Sequence, residues 1–281
     1  MKNVLLWFRI VRPQTLFASL CPVIVALLTM NETVVSWTIA WVTIVCALGL
    51  QILSNLINDY YDFVRGTDKK GRAGFKRALA EGEVSENQMR RACLVTLAIC
   101  IISGLYLVAN GGWVILAIGV TALLFAWLYT ATSHSLSYLG IADIFVFLYY
   151  GVIASSGTYF LQTGGFSWEV FFAGAVCGLI SMCVLLINNL RDMDDDRLAG
   201  KRTLPVRFGK KVGEGLMLVV VLLMPVMAYL AFGFNLPMLV IVPGLCLFVA
   251  VTKAKGVTFN KLLMSAGLIN VLYVLLVVVR L

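Results

Sequence analysis

Seven aspartates in this sequence fall into two short segments, NLINDYYDFVRGTD at 55–68 and NNLRDMDDDRLAGK at 188–201. They are Asp59, Asp62 and Asp68 in the first and Asp192, Asp194, Asp195 and Asp196 in the second. An isolated acidic run is ordinarily a solvated loop, but these acids sit on helical spacing with amides beside them. At about 100° per residue, Asn55, Asn58, Asp59 and Asp62 share a stripe about 100° wide. On a helix continuing from Asn188, Asp192, Asp195 and Asp196 likewise fall within an arc of about 100°, and Asp194 points to the opposite side. So many carboxylates at apolar helix ends repel one another and lose hydration unless a multivalent cation compensates them. Hard oxygen donors suit Mg²⁺, which takes one or two carboxylates, keeps waters and binds substrate phosphates. Mn²⁺ is the expected substitute. The expected metal-binding set is Asn58, Asp59, Asp62 and Asp68 with Asn188, Asp192, Asp195 and Asp196, and Asp62, Asp192 and Asp196 are expected to be indispensable to the chemistry.

Cations follow both clusters: Arg65, Arg72, Lys76 and Arg77 after the first, Lys201 and Arg202 after the second. Singly, each is explained by the retention of Lys and Arg on the cytoplasmic side of a membrane. Together they could grip a diphosphate and stabilise it as a leaving group. Acids for metal and bases for phosphate above an apolar scaffold imply a diphosphate carrying a lipid tail.

The scaffold is legible from composition. With 61% hydrophobic and 13% charged residues, the 281-residue chain is too apolar for a soluble domain. Its apolar runs have the length of a membrane-crossing helix. They predict an all-α membrane protein, a single domain over 1–281 built as a bundle of nine transmembrane helices near 14–31, 36–57, 92–109, 113–131, 140–161, 168–189, 213–233, 236–252 and 261–280. The first run resembles a signal peptide in its basic flank, but its length and Pro22 favour an uncleaved helix. Of the 22 Lys and Arg residues, all but Arg280 fall on one side of this topology, which predicts a cytoplasmic N-terminus. The net charge of +8 therefore marks a membrane face and not a nucleic-acid surface. The seven cysteines lie within or at the ends of spans without a CxxC pair, and read as small packing residues. The two acidic segments follow the second and sixth spans, an internal duplication that would set two half-sites facing each other.

The segments QILSNLINDYYDFVRGTD (51–68), YLGIAD (138–143), GTYFLQTG (157–164) and INNLRDMDDDRLAGKRTLPVRFG (187–209) resemble the UbiA superfamily of intramembrane prenyltransferases. Within it they are similar to the branch that prenylates 1,4-dihydroxy-2-naphthoate for menaquinone. Asn58 and Asp62 fill the first two places of its NxxxDxxxD motif, Gly66 stands at the third, and Asp68 is the displaced third acid. Asp192 and Asp196 fill DxxxD. The sequence departs from the branch at TATSHSL after Tyr129 and at Phe75, where proline is frequent. The resemblance implies ionisation of a Mg²⁺-bound polyprenyl diphosphate, capture of the carbocation by the electron-rich ring and loss of CO₂, at a site facing the cytoplasm of a bacterial or archaeal cell. Arg12, Tyr129, Asp143 and His134 are candidates for the acceptor pocket, against plainer roles as an orientation charge, an interface tyrosine, a helix cap and a loop residue. Prenylation of 4-hydroxybenzoate, haem or chlorophyll is the alternative within the superfamily. A CDP-alcohol phosphotransferase would need a DGxxAR-type block, which is absent. A transporter would carry ionisable residues near mid-span, and these spans have almost none.

Overall fold

The computed structural model describes residues 2–30, 35–66, 77–128 and 140–280, and among these it is helical throughout, without strands. Asp68, Arg72, Lys76, Tyr129 and His134 lie outside the described residues. Among the described residues, seven helical elements are long and apolar enough to cross a bilayer: α3 (Trp37–Val64), α4 (Glu86–Leu128), α5 (Ala142–Thr163), α6 (Trp168–Arg191), α9 (Lys210–Phe232), α10 (Leu236–Lys253) and α11 (Thr258–Arg280). Two short helices, α7 (Met193–Leu198) and α8 (Leu204–Phe208), follow α6. At the N-terminus α1 (Lys2–Val11) and α2 (Pro13–Leu28) form a pair bent by 54°.

The sequence reading separates nine spans, and the difference lies at α4 and α2. Helix α4 runs for 43 residues, about 65 Å at 1.5 Å per residue and twice the hydrocarbon thickness. Gly112 interrupts it with φ 65° and ψ −152°, a backbone that only glycine adopts readily, and falls in the turn expected at 110–112. The expected third and fourth spans are thus the two limbs of one broken element. Helix α2 has 16 residues, short for a crossing by itself, because the residue before Pro13 cannot easily continue a helix and α1 turns aside at Arg12.

Helix α6 is the axis of the bundle. In its most apolar stretch 72% of residues are buried, against 17% in α4, whose surface is largely free to meet lipid. Around α6 pack α9, α11, α5 and α2, and the largest core cluster joins Val176, Ile180 and Leu186 to Met217, Val221, Leu263 and Tyr273. Close approach of α5 depends on small residues: a Cβ on Gly151 would meet the Cα of Gly178 at 2.6 Å and the carbonyl of Gly174 at 2.7 Å. The α5 backbone widens to a π-helical turn at Leu148–Val152 along this contact.

Polar contacts also tie the end of the bundle remote from the acidic segments. The amide of Gln162 and the backbone of Ser36 exchange two hydrogen bonds of 2.7 and 3.2 Å, joining the end of α5 to the start of α3. Arg280 reaches Glu169 at 2.8 Å and lies over the Phe232 ring. At the other end, the C-terminal ends of α3 and α6 border one pocket.

Candidate active site

The first half of the site is built at an elbow. Arg12 links α1 to α2 in the left-handed region, φ 57° and ψ 70°, the one such non-glycine among the described residues. A residue of this kind is held by its surroundings at a cost and commonly marks a functional place. Here the holding network comes from α3. Asn55 donates to the carbonyl of Val11 (3.0 Å) and to Thr15 Oγ1 (2.9 Å), and Thr15 donates in turn to the carbonyl of Arg12 (2.9 Å). Gln51 adds a bond to Thr15 at 3.2 Å. The result aims the Arg12 guanidinium at Asp59.

Asp59 is buried, 3% exposed, and its Oδ1 accepts from both Arg12 and Arg77. Arg77 also lies 3.9 Å from Asp62. The stripe of α3 thereby divides its labour. Asn58 and Asp62 line a polar pocket of about 140 Å³, whereas Asp59, expected among the metal ligands, lies behind it and fixes the two arginines that do line it. On a helical wheel Asp59 and Asp62 share one stripe, but the arc of about 60° between them is enough to turn one carboxylate to the pocket and the other to the elbow.

The second half is built where α6 stops. Asp192 leaves the helical region, φ −93° and ψ 10°, ending α6 and starting α7. Its backbone still accepts from the amide of Asp196 at 2.7 Å, and Asp196 accepts from that of Lys201 at 2.9 Å, so the chain coils tightly around the two acids. Asp192 and Asp196 are buried at 7% each and line the same pocket as Asn188 and Lys201, whose ammonium is 3.5 Å from Asp196. Both oxygens of Asp192 accept from Arg191, at 2.6 and 2.7 Å, and Asn260 of α11 holds the third guanidinium nitrogen at 2.9 Å. The break at Asp192 shifts the helical phase after it. Asp195, which an unbroken helix would turn inward, is therefore exposed, as is Asp194, which pairs with Arg197 at 3.8 Å.

Four of the expected cations and acceptor residues are accounted for as follows. Arg65 caps α3 at its C-terminal end and is half-buried, outside the pocket lining. Arg202 is exposed, with its carbonyl against Gly140. Asp143, at the start of α5, is buried beyond the pocket, one oxygen lacking a partner among the described residues. Arg12 does line the pocket, beside Gln14 and Thr15. Residues that the sequence reading passed over also contribute. Arg191 was visible only as a neighbour of acids, and Thr203, buried with its hydroxyl unpartnered among the described residues, carried no signal at all.

Below this pocket opens an apolar cavity of about 440 Å³, sharing Arg12, Thr15, Asn58, Val184 and Asn188 with it. The cavity runs between α3, α4 and α5 as far as Leu107, Ile115 and Leu161. A ligand with a charged head and a hydrocarbon tail fits both compartments at once. As to a cation, no three acidic, His or Cys side chains among the described residues converge to hold one alone. The donor set nonetheless fits Mg²⁺, which uses one or two carboxylates and completes its shell with waters and ligand phosphate.

This sequence and this architecture have relatives. A "1,4-dihydroxy-2-naphthoate octaprenyltransferase" from Escherichia coli (strain K12) is 35% identical over 219 residues, 73% of this chain and 68% of the relative. A protein of the same description from Bacillus subtilis (strain 168) is 27% identical over 208 residues, 74% of this chain and 67% of the relative. The fold matches that of a UbiA homolog from Archaeoglobus fulgidus solved with DMAPP and Mg²⁺, with a TM-score of 0.71 over 98% of both chains at 18% identity. The profile of the UbiA prenyltransferase family matches residues 19–266, a stretch holding α3, α6 and the whole of both acidic segments, and the chain belongs to that family.

Proposed function

We propose that this protein transfers a polyprenyl group from polyprenyl diphosphate to 1,4-dihydroxy-2-naphthoate, with release of diphosphate and CO₂, giving demethylmenaquinol, the reduced form of demethylmenaquinone. The observation that carries the reading is the junction of one polar pocket, lined by Asp62, Asp192 and Asp196 with Arg77 and Lys201, to a tail-sized apolar cavity. The relatives described as 1,4-dihydroxy-2-naphthoate octaprenyltransferases support the acceptor. The fold relative with DMAPP and Mg²⁺ supports the donor class and the cation.

Asp62, Asp192 and Asp196, with Asn58 and Asn188, would hold Mg²⁺. The bound cation supplies Lewis-acid stabilisation of negative charge on the departing diphosphate. Arg77 and Lys201, already aimed at the pocket by Asp59 and Asp196, add fixed positive charge where that charge develops. The cavity walls exclude water from the allylic carbon, so that the aromatic ring and not hydroxide captures it. Capture forms the new C–C bond at the carbon bearing the carboxylate, and loss of CO₂ restores the aromatic ring. In this reading the chain makes nine crossings from a cytoplasmic N-terminus, α4 counted as two, and the pocket faces the cytoplasm; the one-sided distribution of Lys and Arg supports it. Asp68, Arg72, Lys76, Tyr129 and His134 belong to segments that adjoin this face in sequence, and the first three extend the metal and phosphate sets in this proposal.

The test uses purified protein, a polyprenyl diphosphate and a panel of aromatic acceptors, with products weighed by mass spectrometry. The expected product from dihydroxynaphthoate lacks the carboxylate, and excess EDTA stops its formation until Mg²⁺ or Mn²⁺ is restored. A product that keeps its carboxylate, or undiminished turnover in EDTA, overturns the reading.

A further inference from the structure

Two carboxamides in the wall of the apolar cavity have polar atoms without a partner among the described residues. Asn270 of α11 is fully buried, and neither its Nδ2 nor its Oδ1 has a partner among the described residues. Gln51 of α3 is 6% exposed, and its Oε1 is likewise unpartnered. The orientation of Gln51 is fixed by its neighbours. Asn55 must turn its amide nitrogen to the carbonyl of Val11, which leaves Asn55 Oδ1 to accept from Gln51 Nε2 at 3.3 Å, and so leaves Gln51 Oε1 over. Both side chains border the same cavity.

Their depth is also defined. Leu263 lines the polar pocket, and Asn270, seven residues on along α11, lies about 10 Å further in. Asn58 lines the pocket on α3, and Gln51, seven residues before it, is displaced by the same amount. Helix α2 runs between them: Thr15 receives Gln51, and a Cβ on Gly267 would stand 3.0 Å from the carbonyl of Gln14. Ser19, also in the cavity wall, turns its hydroxyl back to its own helix at 3.0 Å and satisfies neither amide.

Buried amide atoms without partners are costly and rare in a protein interior. A hydrocarbon tail against them would leave the cost in place. A diphosphate would be drawn instead to the arginines and lysine outside. The remaining participant, the aromatic acceptor, carries neutral hydroxyls that both donate and accept, which is what one free amide group and one free carbonyl oxygen can use. We infer that Gln51 and Asn270 form a neutral polar subsite within the apolar cavity that receives the ring hydroxyls of the acceptor. This rests on the functional reading above and deepens it.

Steady-state kinetics and acceptor-induced thermal stabilisation, measured on the full chain in detergent, test the subsite. Asn270→Leu keeps the size of the side chain and removes its polar atoms. It should raise KM for dihydroxynaphthoate about tenfold while leaving KM for the prenyl diphosphate within about twofold of wild type. The stabilisation that dihydroxynaphthoate, without prenyl diphosphate, is expected to give the wild type should disappear. Asn270→Ser, which retains a hydroxyl and is gentler on packing, should fall between the two and gives the same comparison if the leucine variant fails to fold. Wild-type acceptor KM and stabilisation in both variants would overturn the subsite alone. Wild-type protein that consumes no dihydroxynaphthoate would overturn the functional reading and the subsite with it.

Discussion

The two acidic helix ends look alike in sequence and are held in different ways. At the end of α3 the helix continues unbroken past Asp59 and Asp62, and the buried charge of Asp59 is balanced by Arg12 and Arg77, 47 and 18 residues away. At the end of α6 the helix breaks at Asp192, whose charge is balanced by its immediate neighbour Arg191, while Asp196 is met by Lys201 five residues on. The first end is assembled by tertiary structure and the second by its own local chain. In the first, the acid that carries the arginines stands behind the pocket; in the second, the acids that carry the cations line it. Similar motifs therefore place their carboxylates differently, Asp59 behind the pocket and Asp192 in its wall, where the proposed reaction would use it.

The largest effects should fall on acids that line the pocket. Asp62→Asn, Asp192→Asn and Asp196→Asn should each lower turnover by at least about 10²-fold, the scale of losing one charged group that stabilises a transition state. Radiolabelled prenyl transfer on equal amounts of folded protein measures it. A variant of either helix end with wild-type turnover would mean that the two ends do not share one reaction centre.

Asp59 should separate from these by its effect on stability. Asp59→Ala strands the guanidinium of Arg12, 17% exposed, and takes one carboxylate from Arg77, which keeps Asp62 at 3.9 Å, and removing one partner from a buried ion pair costs about 3–5 kcal/mol. Thermal unfolding in detergent should show the loss. Combining Asp59→Ala with Arg12→Gln should cost less than the two changes added together, because the second removes a charge that the first stranded. Strict additivity would contradict the elbow's dependence on Asp59. Asn260→Ala should be milder, about 1 kcal/mol, since Arg191 keeps both bonds to Asp192 when its bond to Asn260 goes. A loss as large as that of Asp59→Ala would show that the second end also depends on a distant helix.

How much of this could be read from sequence follows from the same contrast. Most span positions were legible because a bilayer sets their length, and the break in α4 at Gly112 falls in the gap between the expected third and fourth spans. The stripe on α3 was legible as far as helical phase carries, which brings Asn58 and Asp62 to one face but cannot say that Asp59 meets arginines from two other segments. Arg12 was visible as an acceptor-pocket candidate at a helix end, but not as a partner of Asp59; the αL backbone that aims it depends on Asn55 of α3, which bonds Val11 and Thr15 across elements. Asn270 had no signal, since one asparagine in an apolar helix becomes notable only when a cavity is found beside it.

The smallest effects should come from the acids next to Asp196, and they test the helix break directly. On one continuous helix from Asn188, Asp195 would face inward with Asp192 and only Asp194 would face away. In the structure the backbone of Asp192 sits at ψ 10°, the phase is reset, and Asp194 and Asp195 are both exposed while Asp196 is buried. The pairing of Asp194 with Arg197 is between exposed side chains, and such pairs contribute little. Asp194→Asn and Asp195→Asn should therefore both keep turnover within about twofold of wild type and leave the Mg²⁺ concentration needed for half-maximal rate unchanged, since neither borders the pocket. The three single variants at 194, 195 and 196, assayed side by side across a Mg²⁺ titration, decide it. Should Asp195→Asn need much more Mg²⁺ while Asp194→Asn does not, the helix runs on through Asp192 when substrate is bound, and the second end is as continuous as the first.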